Sequence, residues 1–140
     1  MLIAYLVGVL AAYAAAAVAQ TQSMLANLQA MGVDVTLGDR LAATGHDLMG
    51  LATLFLPMIA AGFAIALPVA AGIIRVLPRW RPVGYALAGG VALLAIHLLL
   101  QLAFNITPIS AARTALGLTV QALCGAFGGW LFLQCLPDRE

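Results

Sequence analysis

Charge is absent from four long stretches of this chain, and that absence limits what it can fold into. No Asp, Glu, Lys or Arg occurs in residues 1–33, 48–74, 82–112 or 114–137. The charges sit in the breaks: Asp34, Asp39, Arg40 and Asp47; Arg75, Arg79 and Arg81; Arg113; and Asp138, Arg139 and Glu140. A bilayer's hydrocarbon core is about 30 Å thick and takes roughly 20 apolar residues as helix. Lipid offers no partner to an unpaired backbone group, so an apolar stretch of that length crosses as a helix. Spans are predicted over residues 2–19, 51–74, 83–104 and 114–136. Composition agrees, with 64% hydrophobic and 8% charged residues and a mean hydropathy of +1.08. A soluble domain carries about 25% charged residues, and a disordered chain is poor in apolar ones, so both classes are excluded. The expected fold is an all-α integral membrane protein, one membrane domain over residues 1–140, with four transmembrane helices in one compact bundle.

The net charge of +1 leaves no basic surface for nucleic acid. The expected partners are the lipid bilayer itself and another membrane protein or further copies of this chain. All six basic residues are arginine, and three of them fall in the break at 75–82 beside Trp80. Basic loops stay in the cytoplasm and Trp anchors at the interface, which places both termini inside and residues 20–50 outside. Arginine in place of lysine, with abundant Ala and Gly, suggests a GC-rich bacterial genome, and the expected location is a bacterial inner membrane. Ala17-Val18-Ala19 resembles a signal-peptidase site, but no basic segment precedes it, so the first span is expected to be retained.

The outer segment reads as a helical hairpin that extends the first two spans. Met24, Leu25, Leu28 and Met31 recur at helical spacing, and Gly32 suits a helix stop. Thr36 with Asp39 three residues on matches a capping box. Leu37, Leu41, Leu48 and Leu51 then make one stripe of a second helix. Small residues line each span: Gly8, Ala12, Ala15 and Ala19; Ala61, Ala64 and Ala71; Ala86 and Gly90; Gly117, Gly125 and Gly128. Apolar helices in lipid have no hydrophobic drive to associate, so such faces supply close contact. Pro57 and Pro68 are expected to kink the second span and to free the carbonyls of Thr53 and Ala64.

Polar side chains in the spans are few, and each needs a partner. His97, Gln101 and Asn105 form one stripe, and Gln121 lies one turn from Cys124. Counting inward from the outer ends at 1.5 Å per residue puts His97, Gln121 and Pro57 at about the same depth. They are expected to form a polar layer with Thr53 and Cys124, open at an outer mouth carrying His46 and Asp47. A haem would need His46 and His97 at one level, which the spacing denies. A metal would need a third ligand, and none is in place. Cys124 beside His97 could act as a nucleophile, but no carboxylate orients the histidine. Cys124 and Cys135 are too far apart on one helix to pair. No Walker, dinucleotide-binding or zinc-protease motif occurs. No cofactor and no catalytic set is therefore expected. The leading reading is binding of another membrane protein or a small hydrophobic ligand. Transport along a kinked second helix, or an enzyme using Cys124 or His97, are the alternatives. Topology is directly checkable: in intact cells a cysteine at Ala43 should react with an impermeant thiol reagent and one at Val83 should not, and the opposite pattern overturns the orientation.

Overall fold

The computed structural model describes residues 1–104 and 114–136. Among them five α-helices and one 3-10 turn carry the chain, with no strand. Helix α1 spans Leu2–Ala30, α2 Leu37–Gly50, α3 Phe55–Val76, α4 Arg81–Phe104 and α5 Ala115–Gln134. The 3-10 turn Pro78–Trp80 joins α3 to α4. Four of the helices (α1, α3, α4 and α5) are long and apolar enough to cross a membrane, and they pack into a four-helix bundle.

The hairpin forms as its capping signals require. Gly32 closes α1 with φ at 85°, a left-handed conformation that glycine adopts without steric cost. Thr36 and Asp39 make a reciprocal capping box at the start of α2. The Asp39 backbone N–H donates to the Thr36 hydroxyl oxygen at 3.2 Å, and the Thr36 N–H donates to Asp39 Oδ2 at 2.9 Å. The Thr36 hydroxyl and then its N–H hold the Asp39 carboxyl below its usual range. This cap is intact above the pKa of an unfolded aspartate and weakens as pH falls through the lower folded value.

Two expectations about the second span need correction. It begins at Phe55, after a turn at residues 51–54, and not at Leu51. Pro57 therefore lies in the first turn of α3, where no partner carbonyl awaits its missing N–H. It is tolerated there, and Pro68 is the proline inside the helix. The face carrying Ala61, Ala64, Pro57 and Pro68 is also exposed. The inward face of α3 consists of Phe55, Ile59, Phe63, Leu67, Ala70 and Ile74. These bulky side chains fill the interior, where they meet Ala12, Ala16, Tyr13 and Leu93.

Small residues do their work in the other three spans. Helix α4 packs most extensively on α5, and α5 in turn on α1. A Cβ added to Gly89 would strike the Gly125 carbonyl, and one added to Gly125 would strike the Gly89 carbonyl. Gly129 meets the Tyr85 carbonyl in the same way, and Gly128 meets Gly8. The pairs Gly89–Gly125 and Tyr85–Gly129 fix α4 antiparallel to α5. Gly125→Ala or Gly89→Ala should therefore lower stability in detergent by about 1–3 kcal/mol through overpacking. Gly72→Ala, with nothing within 4 Å of the new methyl, should be neutral or stabilising by up to about 1 kcal/mol. Equal melting of all three variants would contradict this packing.

Candidate functional site

The buried polar groups gather in the hairpin-side half of the bundle. His97 and Gln121 are buried with Gln20 and Thr21, and Tyr13 lies among them. His97 is held by its own helix: Nδ1 donates to the Leu93 carbonyl at 2.8 Å. In the neutral ring that donation leaves Nε2 as an acceptor, and Nε2 is buried with no hydrogen-bond partner among the described residues. Phe55 of α3 meets the imidazole edge to face at 5.7 Å between centroids. Gln121 donates from Nε2 to the Ala16 carbonyl of α1 at 3.1 Å, and its Oε1 is likewise buried without a partner among the described residues.

This arrangement departs from the expected layer. His97 bonds neither Gln121 nor a carbonyl near Thr53. Because Gly89 faces Gly125, the antiparallel register brings Gln121 level with Leu93, one turn from His97. The same register puts Cys124 about two turns from His97, so the two do not form a nucleophilic pair; Cys124 is half-buried against the apolar core. Gln101 is exposed. Thr53 is exposed too and donates to the Gly50 carbonyl at 3.2 Å, because α3 starts too late to turn it inward. Pro57 is exposed because it lies off the inward face set by Phe55 and Ile59. Asn105 lies outside the described residues. Among these residues no group of three His, Cys, Asp or Glu side chains could hold a metal ion.

The expected mouth residues separate. His46 is exposed, whereas Asp47 is half-buried and accepts from the Thr21 hydroxyl at 2.7 Å. Sequence reading missed Tyr13, near the middle of α1, and Gln20, Thr21 and Gln22 on its hairpin-side half. Tyr13 donates to the Leu48 carbonyl at 2.5 Å. Arg40 donates to Gln22 Oε1 at 2.5 Å and to Gln29 Oε1 at 2.6 Å, and Gln22 donates to Thr44 Oγ1 at 3.2 Å. Helix α2 thus turns its polar face to α1. Leu37 and Leu41 point outward, 79% and 76% exposed, while only Leu48 and Leu51 of the predicted stripe pack on the core. The available signal was the run Gln20-Thr21-Gln22, polar residues inside a helix that continues to Ala30.

A second feature lies on the outside of the bundle. A groove of about 860 Å³ runs between α3 and α4 from Leu77, Trp80 and Gly84 at the arginine-rich end to Leu100 and Ala103 at the other. Its lining is wholly apolar, with Gly62, Val69 and Ala95 along its length. That volume is within the range of sites for small hydrophobic ligands, about 300–1,000 Å³. No known protein family, curated protein or solved structure matches the chain.

The orphaned acceptors make the polar cluster testable. His97→Leu and Gln121→Leu each delete an unpaired buried acceptor together with one bond, so each should change stability by less than about 1 kcal/mol. Gln121→Glu, which buries a charge, should cost several kcal/mol. A large loss for either leucine variant in detergent melting would mean that a bound donor completes the cluster.

Proposed function

We propose that the chain is a multi-pass membrane protein that works by binding, and that its ligand is an apolar chain held in the groove between α3 and α4. The groove is the observation that carries this reading: it is continuous along both helices, wholly apolar and of ligand size. Its origin is the unequal packing of α4. One side of α4 meets α5 through glycine at backbone contact, while on the side toward α3 the side chains of Ile74 (α3, against Gly84) and Ile96 (α4, against Gly62) stand between the helices. On this reading the arginine-rich end lies at the cytoplasmic face of a bacterial inner membrane.

A transport path has less support. The polar cluster at His97 and Gln121 gives way, toward the arginine-rich end, to the glycine contacts of Gly8, Gly89, Gly125, Gly128 and Gly129. Backbone at that separation leaves no room for a wet route among α1, α4 and α5. Among the described residues no nucleophile–base pair supports an enzyme.

Trp80 lines the groove, whereas Trp130 does not, which gives an optical test. In the Trp130→Phe protein in phosphatidylcholine nanodiscs, a dibrominated long-chain alcohol should quench Trp80 saturably. Val69→Phe, which fills the groove, should abolish saturation. Quenching that rises linearly, as simple partition into lipid requires, and ignores Val69→Phe would overturn the reading.

A further inference from the structure

We infer that the groove is a site for an anionic phospholipid, with an acyl chain between α3 and α4 and the phosphodiester held by Arg79 and Arg81. This rests on the apolar-groove reading and adds the identity of the headgroup. Trp80 forms the end of the groove lining, and Arg79 and Arg81 flank it in sequence, one in the 3-10 turn and one opening α4. Arg75 lies in the last turn of α3, on the same end of the bundle. Arg79 and Arg81 thus bracket Trp80 where the apolar channel reaches the polar boundary, while Arg75 lies with Pro68, Ala71 and Gly72 on the side of α3 that faces α1.

Nothing among the described residues neutralises them. The described carboxylates, Asp34, Asp39 and Asp47, all belong to the hairpin at the opposite end, and none of the three arginines forms an ion pair with a described residue. Arg79 and Arg81, two residues apart, carry like charges that repel, and an anion relieves that repulsion. The planar guanidinium fork matches a phosphate in bidentate geometry. Basic pockets between transmembrane helices near the cytoplasmic face suit phospholipid head groups. A chain in the groove fixes where such a headgroup lies, and the arginines determine its charge. A zwitterionic lipid offers the same chain but carries an ammonium that the arginines repel.

Spin-labelled phosphatidylglycerol and phosphatidylcholine, each measured with the purified protein in nanodiscs, provide the test. The motionally restricted fraction should favour phosphatidylglycerol by roughly tenfold or more. Each nearby arginine is worth about fivefold, so Arg79→Gln with Arg81→Gln should remove the preference and leave phosphatidylcholine binding unchanged. The corresponding lysine pair should restore part of it. Both lipids should lose the restricted component in Val69→Phe. Equal binding of the two lipids, still lost in Val69→Phe, would overturn the headgroup assignment while the apolar groove stands. A restricted component indifferent to Val69→Phe would overturn both. A preference that survives the double glutamine variant would also overturn it.

Discussion

Backbone contact through glycine organises this bundle. Helices α1, α4 and α5 approach until the carbonyls of Gly8, Tyr85, Gly89 and Gly125 occupy the space that a neighbour's Cβ would fill. In a bilayer, helices this apolar would gain nothing from merely hiding apolar surface, and their association would rely on close dispersion contact. Once this three-helix slab forms, the other features have fixed places. The register between α4 and α5 separates His97 from Cys124, and the Gly8–Gly128 contact between α1 and α5 brings Gln121 within reach of Ala16. Helix α3 carries large inward residues in place of glycine, so it packs at a greater distance and leaves the groove along α4.

Polarity is distributed in an unusual way. In the hairpin, α1 and α2 face each other with Gln22, Gln29, Arg40 and Thr44, and Thr21 meets Asp47 nearby. Leucines that an aqueous hairpin would bury face outward instead. Hydrogen bonding explains the choice. Arg40 and Asp47 belong to α2, and each finds a neutral polar partner only on α1. An inverted α2 would strand both charges away from those partners. The Tyr13 bond to Leu48 joins this polar seam to the apolar core below it.

Much of the fold was legible in particular residues. Gly32, Thr36 and Asp39 announced the hairpin because capping is local chemistry, needing only residues within one turn. The uncharged runs announced the four long helices because a span is defined by length and apolarity alone. Pro57 misled for a related reason: its effect depends on its distance from the start of the helix, and the start shifted by one turn. The candidate site was less legible. His97 and Gln121 were visible as polar residues in apolar spans, but their partners were not. The carbonyls of Leu93 and Ala16 carry no side-chain signature. Gln101 sits one turn from His97 on the same helix, and only the neighbouring helices determine that His97 is covered and Gln101 is exposed.

The sequence alone determined the helical class, the approximate spans, the hairpin turn and the clustering of arginine at one end. Each follows from composition or from contacts within a few residues. Tertiary structure decided which face of each helix points inward, and so which polar groups are buried, which leucines are exposed and where the groove lies. On α3 a small-residue face and a bulky face were both available to the core. The slab of α1, α4 and α5 had already consumed the close contacts, and the space left for α3 was wide enough only for Phe55, Ile59 and Phe63.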